Sequence, residues 1–394
     1  MIASHTLNDL ELILLVLAAL YFSECSCWIP EAAVCVCGVR RHRTAVAMGP
    51  LANEHGRLVL TNLLPWSFSF VCSAWPIPFD ARGIVLVPGG EIQKANGGRN
   101  DLWLPHEAIS SITTEERKLL INGRVVAKLF SAAGAVFVAT RLDRVRRATP
   151  AKREQAAEAV LADITDTVAI SGRLRSLKIE RRALTDICTA FAIYAFVVGP
   201  ALYYAGALNR AWSAATYLAS FLAIWACSIA YYCAMYRSFI RESRMSAVSR
   251  MVMLLLSPAS AMRAAESIAR GCFDGYEPVA VASVICRQRD LRKLAEQRLR
   301  ELCAQPQTPV VASSPERALL WFQERVARRL RMAVEEAGLD PRELLAEPVR
   351  MVDAQSYCPR CLTQYTLDHG SCESCNGLAL QSWTPQWSLR KAEV

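Results

Sequence analysis

ICTAFAIYAFVVGPALYYAGAL, residues Ile187–Leu208, is followed after Asn209 and Arg210 by AWSAATYLASFLAIWACSIAYYCAMY, residues Ala211–Tyr236. Neither run contains a charged side chain. A helix rises 1.5 Å per residue and a hydrocarbon core is about 30 Å thick, so each run is long enough to cross a bilayer. The pair reads as a transmembrane helical hairpin that turns at Asn209 and Arg210. Another run precedes both, so that in chain order Leu12–Pro30 is the first, Ile187–Leu208 the second and Ala211–Tyr236 the third; the first contains Trp28 near its end, a residue type enriched at membrane interfaces. The residues before it include Asp9 and Glu11 but no Lys or Arg, which favours a retained anchor over a cleaved signal peptide.

Basic residues give the hairpin an orientation. Arg40, Arg41 and Arg43 follow the first run; Arg173, Arg175, Lys178, Arg181 and Arg182 precede the second; Arg237, Arg241, Arg244 and Arg250 follow the third. The positive-inside rule places all three clusters in the cytoplasm. The N-terminus is then expected outside, the segment from about residue 38 to 185 inside, the turn near Arg210 outside, and everything after Tyr236 inside. A bacterial inner membrane is the expected location. A reducing compartment also suits the 15 cysteines, an odd number that leaves no complete disulfide set.

The most specific chemical signal lies near the C-terminus. Cys358-Pro359-Arg360-Cys361 and Cys372-Glu373-Ser374-Cys375 are two C-x-x-C turns ten residues apart. Each turn lets two thiolates bind one metal ion, and two turns complete a four-sulfur shell with no open position for water or substrate. Structural zinc held by Cys358, Cys361, Cys372 and Cys375 is therefore expected. Two disulfides, reduced bystander thiols, or a rubredoxin-like iron site are the alternatives. The stretch Tyr357–Leu380 resembles the short zinc ribbons of many bacterial membrane proteins, in which paired Cys-Pro-x-Cys-Gly knuckles are separated by about this interval. It departs from that pattern at Leu362, where Gly is usual, and at Asn376, which precedes Gly377. Asn tolerates left-handed backbone better than Leu, so the second turn fits the pattern more closely. His369, between the knuckles, reads as a loop residue.

Between the first two apolar runs the sequence becomes strand-like. Ile84-Val85-Leu86-Val87 and Leu102-Trp103-Leu104 flank a Gly-rich loop that lacks the G-x-x-x-x-G-K-[ST] order of a phosphate loop. Asn122-Gly123, between Leu119-Leu120-Ile121 and Arg124-Val125-Val126, predicts a type I′ β-hairpin. Helical periodicity follows over Ser131–Arg147 and from Pro150 to about Asp166. This order is similar to pleckstrin-homology-like modules, which implies one curved sheet closed by a C-terminal helix. Leu58–Phe79 is uncharged but broken by Asn62, Pro65, Pro76 and Pro78, and reads as a buried or interfacial strand-loop segment rather than a fourth span. Cys25, Cys27, Cys35 and Cys37 cluster at the inner end of the first run, where they read as boundary packing, with soft-metal binding or palmitoylation as alternatives.

After Tyr236 the chain reads as helical. Ser257-Pro258, Ser314-Pro315-Glu316 and Asp340-Pro341 are helix starts, and Gly271 and Gly338 are helix ends. Met251–Met262 is too short to span and is expected along the membrane surface. Leu319, Phe322, Val326, Leu330, Ala333, Val334 and Ala337 line one face of an amphipathic helix. The expected role of this helix is packing on the cytoplasmic helical domain with a solvated charged face; the alternative is a partner or anionic lipid surface that contacts Trp321, Arg325 and Arg328.

The fold expected is a multi-pass α-helical membrane protein. Its parts are an anchor (1–37), a cytoplasmic α+β domain (38–185), a transmembrane hairpin (186–236), a cytoplasmic helical region (237–350), and a zinc ribbon with tail (351–394). The net charge of +9 comes largely from the flanking arginines, so nucleic acid is not an expected partner. His5, His42, His55, His106 and His369 sit in no catalytic motif, and His106-Glu107 reads as a surface loop. The expected role is a non-enzymatic scaffold or regulator in contact with lipid and protein partners, with homo-oligomerisation open. The alternative is an accessory subunit of a transporter or envelope enzyme.

Overall fold

The computed structural model describes residues 9–29, 33–38, 43–47, 57–60, 68–86, 103–239, 248, 251–252, 254–255, 261–304, 314–375 and 377–383. The Gly-rich loop from 88 to 98 and the helix start at Ser257-Pro258 lie outside them, as do the side chains of Cys27 and Cys37.

Helix α1 (Asp9–Cys25) opens the described chain. It is 17 residues long and gives way to strand β1 (Ser26–Ile29). The first apolar run is thus not one continuous spanning helix to Pro30. Its last residues pair antiparallel with β4 (Arg57–Leu60). Strands β2 (Ala33–Gly38), β3 (Arg43–Ala47) and β5 (Phe68–Ser73) form a second antiparallel sheet, in the order β3-β2-β5. Leu58–Phe79 accordingly contributes strand and loop, with Phe70, Val71, Cys72, Trp75, Ile77 and Phe79 buried.

Strands β6 (Gly83–Val85) and β7 (Trp103–Pro105) pair with each other. Strands β8 (Ile112–Glu115), β9 (Lys118–Ile121) and β10 (Arg124–Lys128) form a three-stranded antiparallel sheet in the order β10-β9-β8. Its β9–β10 turn is the expected type I′: Asn122 has φ 51° and Gly123 φ 76°. The Asn122 side chain fixes the turn by donating to the Ala108 carbonyl at 2.9 Å and accepting from the Ser110 amide at 2.8 Å. These four separate sheets replace the single curved sheet expected of a pleckstrin-homology-like module. Helices from beyond the apolar hairpin pack on their strands: α7 (Ala264–Arg270) lies against β5, and α8 (Pro278–Ile285) against β2.

The helical part is dominant. Helix α2 (Ala132–Arg147) starts at the N-cap Ser131, whose side chain accepts from the Gly134 amide at 3.0 Å. It is followed by α3 (Arg153–Thr165) and by α4 (Thr167–Glu180), capped by Asp166. Helix α5 (Arg182–Tyr204) and helix α6 (Ala211–Phe239) form the apolar hairpin. The turn begins at Gly206, ahead of Asn209 and Arg210, because Gly206 takes a left-handed φ of 68°. Within α5, Pro200 lacks an amide donor and the preceding Tyr194–Val198 widens to π-helix. Helices α9 (Gln288–Cys303), α10 (Ser314–Glu336) and α11 (Pro341–Leu344) complete the body.

One hydrophobic core runs from Val34 to Leu344 and draws on segments both before and after the hairpin. Among the described residues, α5 and α6 are the two helices long and apolar enough to cross a membrane. Only 22% and 17% of their most apolar windows are buried, so most of their length lies outside the core, which they enter through residues such as Phe191 and Tyr236.

Candidate metal centre

Short strands bring the four C-terminal cysteines together. Strand β11 (Ser356–Tyr357) pairs with β12 (Gln364–Tyr365) and β15 (Gln381–Ser382), while β13 (Ser371–Cys372) pairs with β14 (Leu378–Ala379). The first knuckle is closed by two backbone hydrogen bonds of 2.9 Å, from the Cys358 amide to the Thr363 carbonyl and from the Leu362 amide to the Cys358 carbonyl. The second is closed by the Gly377 amide donating to the Cys372 carbonyl at 3.0 Å. Both turns need a left-handed residue. Gly377 supplies it in the second at φ 77°, and Leu362 supplies it in the first at φ 61°. Leu362 therefore adopts the backbone that the missing glycine would have taken, at a cost of about 1 to 2 kcal/mol.

The four Sγ atoms lie within 4.8 Å of one another. Cys361 Sγ and Cys372 Sγ are 3.7 Å apart, too far for a disulfide and close to the edge of about 3.8 Å in a tetrahedron of 2.3 Å metal–sulfur bonds. Cys358, Cys372 and Cys375 are buried and Cys361 is exposed. Leu378, Leu380 and Ala304 pack around them, so sulfur supplies much of this small core. Tyr365 donates its hydroxyl to Cys372 Sγ at 3.1 Å. Burial pushes the Cys358 and Cys375 thiols up. Burial also opposes ionisation of Cys361, but hydrogen bonds with Thr363, Cys358 and Cys372 more than reverse this and bring it down to about 7. A bound metal ion would hold all four cysteines as thiolates. The donor set fits a soft, four-coordinate metal ion. His369 is not part of it: its ring is exposed and paired with Asp368.

The other expected polar positions are used internally. Trp321 packs on Phe79, with ring centroids 6.5 Å apart, and Arg325 pairs with Glu158 at 2.6 Å. Packing within the body thus accounts for Trp321 and Arg325, in place of the alternative of a partner-facing surface. His106 is buried rather than on a surface loop. Its Nε2 donates to the Asp80 carbonyl at 2.9 Å in the neutral tautomer, and burial pushes its pKa down from 6.5. Of the N-terminal cysteines, Cys25 and Cys35 are buried as packing residues.

Two buried carboxylates carry no sequence signature. Asp274 accepts from the Ser131 amide at 2.7 Å and hydroxyl at 3.0 Å, and from the Ser73 amide at 3.2 Å, tying β5 to the start of α2. A Cβ at Gly134 would overlap this carboxylate, which is why glycine occupies the first turn of α2. Glu266 accepts from the Ser69 hydroxyl at 2.6 Å and pairs with Arg263 and Arg270. Arg270 also reaches the Glu24 carbonyl at 3.0 Å, joining α1 to the body.

No family model matches the chain, and neither does any curated protein or solved structure.

Proposed function

We propose that this chain is a non-enzymatic, membrane-anchored scaffold or regulatory protein. In this reading the α5–α6 hairpin sits in the bilayer and Cys358, Cys361, Cys372 and Cys375 hold one structural zinc ion that shapes a partner-binding ribbon. The sulfur geometry carries the zinc part. Four thiolates fill a tetrahedron and leave no position for water, so the metal organises the fold instead of activating a substrate. The membrane part is supported by bare apolar side chains on the hairpin: Val197 is 60% exposed, Leu218 56% and Trp212 87%. Helix α1 has an apolar outer face too, and its Tyr21 meets Phe196 of α5 at 6.0 Å between ring centroids. The arginines before α5 and after α6 favour a cytoplasmic body, with the N-terminus and the turn near Arg210 on the outer side of a bacterial inner membrane.

Purification of the full chain in mild detergent, followed by identification of its partners, tests the role. The scaffold reading expects partners that are lost when the ribbon is unfolded by Cys358→Ser/Cys375→Ser. A stoichiometric transporter or envelope enzyme retained by that variant favours the accessory-subunit reading. Cysteines introduced at Arg210 and Ala148 are expected to label from opposite sides of the membrane, and labelling of both from outside contradicts the topology.

A further inference from the structure

We infer that the β1–β4 ribbon is a bilayer contact, with Trp28, Leu58 and Leu60 seated at the interface between phospholipid headgroups and acyl chains. This rests on the membrane reading of the hairpin but concerns a different part of the fold, one that contains no spanning helix.

The two strands alternate with the pleat. Trp28 pairs directly with Leu58, and Ser26 with Leu60, so these side chains share one face. That face is bare: Trp28 is 59% exposed, Leu58 60% and Leu60 63%. The opposite face is covered, because Ile29 and Val59 pack with Cys35, Val71 and Phe130. A sheet with one wet face presents polar residues on it. On the β9–β10 hairpin of this same protein, the exposed positions include the directly paired Lys118 and Lys128. The β1–β4 ribbon has the reverse chemistry, three large apolar side chains where water-facing positions would be polar.

Chain continuity identifies what covers the face. Ser26 follows Cys25 directly, and its hydroxyl donates to the Phe22 carbonyl at 3.2 Å, so the ribbon continues α1 with no linker. Bare apolar residues extend along α1 through Leu15, Val16 and Phe22, and α1 touches the hairpin through Tyr21 and Phe196. The ribbon is therefore tethered beside the proposed membrane segment. Tryptophan is the residue type that prefers the interfacial layer. A protein partner is a poorer fit, since stable interfaces bury about 800 Å² per side and three side chains do not present that area.

Photocrosslinking in vesicles tests this with the full chain. p-Benzoylphenylalanine would replace, one at a time, Leu58, Leu60, Leu218 on the hairpin and Val352 beside the metal centre, in vesicles of phosphatidylethanolamine and phosphatidylglycerol. Each product is then analysed by mass for lipid or protein adducts. Lipid adducts at 58 and 60 in yields comparable with 218, and their loss at 352, support the proposal. Lipid adducts at 218 with protein adducts or none at 58 and 60 overturn it while leaving the hairpin in the membrane. Absence of lipid adducts at 218 removes the membrane reading and the proposal together. A second measurement guards against a misfolded variant: with p-benzoylphenylalanine at position 28, Leu58→Glu/Leu60→Glu should lower the yield of lipid adducts at 28 while a probe at 218 in the same variant keeps its lipid adducts, and an unchanged yield at 28 overturns the proposal.

Discussion

The helical body and the C-terminal ribbon solve the same problem with different materials. The body buries aliphatic and aromatic side chains in one core that includes Phe70, Phe79, Phe191 and Phe273. The ribbon's cluster contains three of its four cysteines, two leucines and Ala304, with Tyr365 at its edge. A segment of two dozen residues cannot exclude enough water to stay folded on apolar burial alone. The body should depend on its hydrocarbon, and the ribbon on its metal. The two should fail separately.

The largest effect expected is from metal removal. Chelation should withdraw binding energy on the order of 10 kcal/mol from the ribbon and make the chain after Val352 protease-sensitive, while the body keeps its protease-resistant core. Joint digestion of both regions would break the comparison. The reciprocal perturbation is Val281→Asp, which places an unpaired charge in α8, where Val281 is fully buried. It should cost the body about 4 kcal/mol or more, read as loss of its cooperative unfolding transition, with metal content unchanged.

Helix α8 also sharpens the reading of the hairpin. Both are apolar, yet α8 is eight residues long and buried among neighbouring elements, whereas the apolar spans Arg182–Tyr204 of α5 and Ala211–Tyr236 of α6 run 23 and 26 residues and remain mostly bare. Apolar composition says only that a segment avoids water; length and coverage say how. Ala223→Arg on α6 should cost about 3 kcal/mol of insertion, measured as the fraction resisting alkaline extraction. Normal insertion of that variant would return α6 to the body's surface.

Within the body, His106 should make stability depend on pH. Its folded pKa is depressed below 6.5, so its contribution is present above that value and is lost as pH falls through and below it. Protonation would place a charged donor at Nδ1, which has no hydrogen-bond partner among the described residues. The slope reaches about 1.4 kcal/mol per pH unit at most, and thermal melts between pH 7 and pH 5 should show it weaken in His106→Gln. The smallest effect belongs to the ribbon. Leu362→Gly should stabilise the first knuckle by about 1 kcal/mol, because glycine adopts φ 61° without the Cβ clash. Slower metal loss to a chelator is the readout, and faster loss would show that the Leu362 side chain matters more than its backbone.

What the sequence revealed was local. Asn122-Gly123, the helix start at Asp340-Pro341, and the paired C-x-x-C turns all encode their geometry within a few residues, and each is found where its chemistry puts it. What it concealed depends on distant partners. Strand β1 is set by pairing with Arg57–Leu60, which a reading of one apolar run from Leu12 to Pro30 cannot anticipate. Asp274 looks like a loop residue until Ser73 and Ser131 converge on it from two other segments. Arg325 looks free until Glu158 arrives from α3.

Metal analysis of the purified full chain tests the central claim most directly. The account predicts one zinc ion per chain in the parent and none in Cys358→Ser/Cys375→Ser, with both proteins still in the membrane fraction. A parent free of zinc, or a double variant that retains it, would contradict the account.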